Sequence, residues 1–243
     1  CNEQNNNPAH VTWRRVGEIE AGSYPDVKRM HLSMSCNHCI EPSCLEGCPT
    51  TAYTKKDNGI VVHNAEACIG CQYCTWNCPY GVPQYHPERH IVTKCHMCVD
   101  RIEANQQPAC VEACPVSAIQ IEKVNIEEWK QAIDEADAPG VPPADITLST
   151  TRITVPDNFP QISETVDVGL LEPEAPHWSL IIFLLLGQWS VGLFGLVALG
   201  EAFGIGDLGT NLTSFLGLLG FAIGQIGMGA ATFHLGRPAY AWK

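Results

Sequence analysis

Thirteen cysteines dominate the chemistry this chain can do, and all lie between positions 1 and 114. Twelve of them fall into three runs. Cys36, Cys39, Cys44 and Cys48 follow C-x2-C-x4-C-x3-C-P. Cys68, Cys71, Cys74 and Cys78 follow C-x2-C-x2-C-x3-C-P, and Cys95, Cys98, Cys110 and Cys114 follow C-x2-C-x11-C-x3-C-P. A proline stands directly after each fourth cysteine, at Pro49, Pro79 and Pro115. The second run has the spacing of bacterial ferredoxins, whose thiolates hold iron–sulfur clusters. A cubane cluster presents four irons, each taking one thiolate. Three cysteines on one tight loop wrap three corners, and the fourth must be reached from elsewhere. In two-cluster ferredoxins the fourth cysteine of each run serves the other cluster. The proline turns the chain away after that remote ligand, since it can neither continue a helix nor donate a hydrogen bond.

Zinc and disulfides are the competing chemistries. C-x2-C pairs also suit tetrahedral zinc, but zinc ribbons set two such pairs apart by a longer loop. Nothing in a zinc site asks for a C-x3-C-P ending three times over. Disulfide frameworks belong to small secreted chains. The thirteenth cysteine, Cys1, fits as the last ligand of a further run whose other members lie upstream; the alternative is a free thiol at the terminus. Four runs would make two pseudo-symmetric modules and four clusters.

The elements that position these residues fall into three blocks. Residues 1–123 are cysteine-rich and poor in periodic structure, and are expected to form ferredoxin-like modules. Residues 124–176 are acidic and proline-rich, as in Ala138-Pro139-Gly140-Val141-Pro142-Pro143, and read as a linker wrapping the first block. Within them residues 126–136 predict a short helix, and residues 146–155, rich in Thr and Ile, predict an edge strand. Residues 177–243 are strongly apolar. Residues 178–200 and 212–233 carry no formal charge, and each is long enough to cross a bilayer about 30 Å thick. Both are rich in glycine, which lets membrane helices pack closely. The expected fold is therefore α+β: tandem ferredoxin-like 4Fe-4S modules, a linker, then transmembrane α-helices. The formal net charge of −12 speaks against nucleic acid. The chain begins at Cys1 without a visible signal peptide and stops just after an apolar run, so it reads as a fragment at both ends.

At this point the residues resemble a known family. Ser35-Cys36-Asn37-His38-Cys39 with Cys44 and Cys48-Pro49, Cys68-Ile69-Gly70-Cys71-Gln72-Tyr73-Cys74 through Cys78-Pro79-Tyr80-Gly81, and Thr93-Lys94-Cys95-His96-Met97-Cys98 with Asp100-Arg101 carry the likeness. Together they are similar to the iron–sulfur subunit of the dimethyl sulfoxide reductase family of molybdopterin oxidoreductases. The tail, with His177-Trp178-Ser179-Leu180, Gly187-Gln188 and Phe233-His234-Leu235-Gly236-Arg237-Pro238, resembles the start of that family's menaquinol-oxidising membrane anchor. The resemblance implies a fusion of the two, relaying electrons between membrane menaquinol and a molybdopterin catalytic subunit in anaerobic respiration.

It also implies how the clusters are shared. Cys36, Cys39, Cys44 and Cys78 would hold one, Cys68, Cys71, Cys74 and Cys48 a second, and Cys95, Cys98, Cys110 and Cys1 a third. Cys114 would close a fourth whose other ligands are absent. Four [4Fe-4S] clusters are thus implied for the intact protein, three of them with all their ligands here. The alternative functions are a membrane-tethered polyferredoxin-type carrier, or the same relay serving a polysulfide, tetrathionate, nitrate or formate enzyme. The family leans towards a cluster domain on the outer face of the cell membrane, whereas Arg237 and Lys243 favour the inner face by the positive-inside rule.

His234 reads as an interfacial histidine, as a proton acceptor at a quinol site, or as a haem ligand. Gln188 lies inside the first span and either bonds another helix or lines the quinol pocket. Arg14, Arg15, Lys94 and Arg101 either tune clusters, dock the catalytic subunit or sit solvated at the surface.

Overall fold

The computed structural model describes residues 1–160, 164–165, 176–203 and 210–242. It divides into two compact units, Cys1–Glu172 and Pro173–Lys243.

The first unit repeats one local device. Each run ends in a Cys-Pro turn whose fourth residue donates its N–H back to the cysteine carbonyl: Thr51 to Cys48 at 3.3 Å, Gly81 to Cys78 at 3.1 Å, Ser117 to Cys114 at 3.3 Å. Proline supplies the second position of such a turn with its φ already set. The residue that closes each turn has positive φ, 49° at Thr51, 57° at Gly81 and 51° at Ser117. After the first two turns the chain enters a small antiparallel hairpin. β3 (Tyr53–Lys55) pairs with β4 (Val61–His63), and β5 (Gln84–His86) pairs with β6 (Ile91–Thr93). Each hairpin delivers the chain to the start of the next run. Ala52, Tyr53, Val61, Ile91 and Val92 from the two hairpins form one buried core with Cys68 and Cys74.

Two short helices lead into the fourth cysteines, α2 (Ser43–Glu46) and α3 (Tyr73–Asn77). They meet at Gly47. A Cβ there would stand 1.7 Å from the Asn77 amide nitrogen, so only hydrogen fits beside Cys48 where the neighbouring run approaches Cys78.

A longer hairpin covers one side of this unit. β1 (Arg15–Ala21) pairs with β2 (Lys28–Met34), and β7 (Glu164–Thr165) adds to the free edge of β1. Ile19 and Ala21 are buried while Glu18 and Glu20 point outward, the alternation of a half-buried strand. The same alternation was available in the sequence, hidden beside the cysteine pattern.

Residues 147–151 of the acidic segment lie along the first cysteine loop. The expected helix is present as α6 (Ile126–Gln131), capped by the Asn125 side chain accepting the Glu127 N–H at 3.0 Å, and continued by a 3-10 turn, Ile133–Ala136. The expected strand over residues 146–155 is absent. Its polar groups are used otherwise. Leu148 and Thr147 carbonyls accept the N–H groups of Ile40 and Glu41 at 2.8 and 3.1 Å. The Thr150 hydroxyl donates to the Asn37 carbonyl and Thr151 bonds the Asn37 side chain. The segment clasps the first cysteine loop and has no ladder left to give.

The second unit is a helical pair. α7 (Trp178–Phe203) and α8 (Thr210–Thr232) match the two apolar runs within a few residues, and both are long and apolar enough to cross a membrane. They pack through small residues. Ser190 donates its hydroxyl to the Gly220 carbonyl at 2.7 Å, and a Cβ on Gly224 would lie 2.9 Å from that hydroxyl oxygen.

Gly47→Ala is expected to lower the stability of the first unit by about 1–3 kcal/mol, the usual cost of overpacking. Adding Asn77→Ala should recover much of the loss. Denaturant midpoints of the single and double variants check this; a double variant no better than Gly47→Ala would remove the contact from the account.

Candidate functional site

Folding gathers eight of the thirteen cysteines around two cavities. One is lined by Cys36, Cys39, Cys44 and Cys78. The other is lined by Cys48, Cys68, Cys71 and Cys74. Each draws three cysteines from one run and the fourth from the other. Among the described residues no three His, Cys, Asp or Glu side chains close together as they would on a single metal ion. In these two places the sulfurs instead stand around a void.

The backbone prepares the sulfurs for anionic charge. In each C-x2-C loop the residue before the second cysteine has positive φ: His38 at 47°, Gly70 at 69°, Met97 at 56°. That twist aims an N–H at the first sulfur, from His38 to Cys36 at 3.4 Å and from Met97 to Cys95 at 3.3 Å. The Cys-Pro turns do the same for the fourth sulfur, with Ala52 donating to Cys48 at 3.3 Å and Ala118 to Cys114 at 3.2 Å. Backbone donors, Val116 first, hold the Cys114 thiol below its usual value. At three cysteines of the two cavities burial wins. It pushes the Cys44 and Cys74 thiols up to about 12 and Cys39 to about 11. Binding of a cationic metal by these three thiols must expel their protons.

Side chains complete the first cavity. His38 is buried; its Nδ1 accepts the Val61 N–H at 3.0 Å, so the ring proton sits on Nε2. Burial holds His38 well below its ordinary pKa, in the neutral form. That buried Nε2 lacks a protein partner. An N–H in the wall of a cavity ringed by sulfur is satisfied by a cluster's sulfur atoms, so these residues fit a [4Fe-4S] group. Thr147 donates its hydroxyl to the Cys39 sulfur at 3.0 Å. At the second cavity Tyr53 stands in the wall beside Cys74, and its buried hydroxyl has no protein partner. Sequence reasoning passed over His38, Thr147 and Tyr53; Thr147 lay in a presumed linker, and only chain closure brings it to Cys39.

The remaining cysteines are placed less completely. Cys95 lies close enough to Cys110 for their charges to interact. Cys98 is buried at the start of α4 (Val99–Glu103). Cys1 is exposed, before the short helix α1 (Asn2–Asn5), with its sulfur 3.7 Å from the Asn5 amide. The four basic residues are engaged within the protein. Arg14 bonds Ser33 and Ser35, Arg15 the Gly81 carbonyl, and Arg101 the Gln107 carbonyl and Glu112. Lys94 is 2% exposed, which removes it from the solvated surface.

In the helical unit, His177 precedes α7 and His234 follows α8, so the antiparallel pair brings them together. Their rings meet edge to face with centroids 4.8 Å apart, and His234 is buried. Gln188 is exposed on α7.

A 4Fe-4S dicluster domain model matches residues 27–124. The sequence is 34% identical over 172 residues to the B component of the anaerobic dimethyl sulfoxide reductase of Haemophilus influenzae, covering 67% of this protein and 83% of that one. The protein belongs to this family. It is an iron–sulfur electron-transfer subunit. It is also 41% identical over 129 residues to YnfG, a probable anaerobic dimethyl sulfoxide reductase component of Escherichia coli, and 40% identical over 124 residues to the B component of a sulfite dehydrogenase of Allochromatium vinosum. It spans 62% and 52% of the length of those two.

Cys74→Ser removes one wall of the second cavity and leaves Cys48, Cys68 and Cys71. One four-iron cluster should become a three-iron form with a new paramagnetic signal when oxidised, while the other clusters keep theirs. An unchanged iron content and spectrum would exclude Cys74 as a ligand.

Proposed function

We propose that this protein relays electrons between the quinol pool of the cell membrane and a catalytic subunit that reduces or oxidises a small substrate. The reading is carried by the exchange of fourth cysteines between the two cavities. Cys36, Cys39, Cys44 and Cys78 hold one cluster, and Cys48, Cys68, Cys71 and Cys74 the next. The intertwined runs set the two cavities near each other, with Tyr53 in the wall of the second and its ring 6.0 Å from the amine of Lys94 in the wall of the first. When bound, each cluster accepts and passes on one electron at a time. Cys95, Cys98, Cys110 and Cys1 hold a third cluster, and Cys114 contributes to a fourth.

The protein's own residues do three things for this relay. They exclude water, through the core of Tyr53, Val61, Ile91 and Val92. They place N–H donors on the sulfurs, which favours the reduced, more negative state. They also hold the first loop shut with residues 147–151. Residues 1–123 act as the cluster domain, residues 124–176 as its clasp, and residues 177–243 as a membrane anchor spanning with α7 and α8. A molybdopterin subunit of the dimethyl sulfoxide reductase type is the catalytic partner this reading favours, because the relative that is 34% identical over 172 residues bears that enzyme's name.

Quinol gives up two protons with its two electrons, and His234 accepts one. The edge-to-face ring of His177 fixes the His234 imidazole in place. Gln188 faces outward from α7 and can line the quinol headgroup's path only with helices beyond this pair.

His234→Ala is expected to slow quinol-driven reduction of the clusters by roughly 10²–10⁴-fold, the usual worth of one positioned acid–base group. Reduction by dithionite, which bypasses quinol, should keep its wild-type rate. The ratio of the two rates in membranes is the measurement. An unchanged ratio would leave His234 a structural residue and move the quinol site elsewhere.

A further inference from the structure

Lys94 is a buried cation whose surroundings the relay does not yet explain. It follows the strand β6 and stands one residue before Cys95, and it is 2% exposed. Its amine donates to the Val61 and Cys95 carbonyls, the latter at 3.0 Å, and reaches the Cys36 sulfur at 3.5 Å. It lines the first cavity with Cys36, Cys39, Cys44 and Cys78. The ring of Tyr53, which lines the second cavity, lies 6.0 Å from the amine. Among the described residues no carboxylate pairs with it; the ion pairs all lie at more exposed positions.

A buried ammonium without a counter-charge is costly, and proteins keep one only where an anion meets it. The carbonyls around Lys94 satisfy its hydrogen bonds but not its charge. Four thiolates around an iron–sulfur core make a net anion, and this is the anion the cavity offers. The sites of the charge and of the electron are therefore one place. An electron arriving in the first cavity makes that anion one unit more negative, with no bond made or broken and no proton taken up. The fixed positive charge of Lys94 favours that state over the oxidised one. Its N–H on the Cys36 sulfur acts in the same direction.

We propose that Lys94 sets the reduction potential of the cluster held by Cys36, Cys39, Cys44 and Cys78, raising it above the value the cysteine cage alone would give. The inference rests on the cluster reading proposed above. Lys94 does not touch substrate or quinol; it acts through the sulfur it faces.

The test is a redox titration of the iron–sulfur signals, followed by paramagnetic resonance, in the intact complex carrying Lys94→Met or Lys94→Gln. The first removes the charge and every donor, the second the charge while keeping an amide N–H donor. Thr147→Val, which takes a donor from the Cys39 sulfur, identifies the first cavity's signal in a parallel titration. Both Lys94 variants should retain wild-type iron and show a lowered potential for the same signal that Thr147→Val moves, with the other signals in place. An unmoved or raised potential in an iron-replete variant would overturn the proposal. Loss of that one cluster from both variants would overturn it too, making Lys94 a counter-charge needed for assembly. Absence of iron from the wild-type protein would instead remove the cluster reading itself.

Discussion

A short loop cannot enclose a cube. Three thiolates from one stretch of backbone reach three corners and the chain then runs out of geometry, so the fourth must come from a distance. Most of the first unit follows from that constraint. The Cys-Pro turns throw the chain away after each fourth cysteine. The hairpins β3–β4 and β5–β6 carry it back to the next run, and their inner faces become the core. Gly47 is a glycine because the two exchanged cysteines arrive from opposite sides and their neighbours nearly touch.

Charge is the second demand. Burial alone drives the cavity thiols towards neutrality, as the values near 12 for Cys44 and Cys74 show. Backbone N–H groups at left-handed positions lean the other way, and they recur at equivalent places in the runs. Thr51 and Ser117 take up positive φ that would suit glycine better. The local strain, of order 1 kcal/mol at such positions, is offset by N–H groups aimed at sulfur.

What could be read from the sequence was whatever repeats at short range. Spacing and the prolines pointed to cubane ligands, and the family likeness to the exchange that matches the two cavities' linings. The apolar runs foretold α7 and α8 almost to the residue. What escaped was long-range. Lys94 looks like any lysine beside a cysteine until β4 and β6 fold over it. His38 sits in the first motif, but its orphaned nitrogen exists only once Val61 takes the other one. Residues 146–155 have the β-branched composition of a strand, yet their hydroxyls and carbonyls are committed to residues 37–41. The alternation of β1 is legible in the sequence, but it is a weaker signal than the cysteine spacing beside it.

The clasp has a consequence for the order of synthesis. The wall of the second cavity is made entirely of residues 48–92, and it is complete once Val92 has been joined to the chain. The first cavity borrows Thr147, more than a hundred residues downstream of Cys39, whose sulfur it bonds. A ribosome making this protein from its amino end therefore releases one finished cage and one open cage. The open one closes only after the acidic segment has emerged, a short stretch of chain before the apolar helices follow.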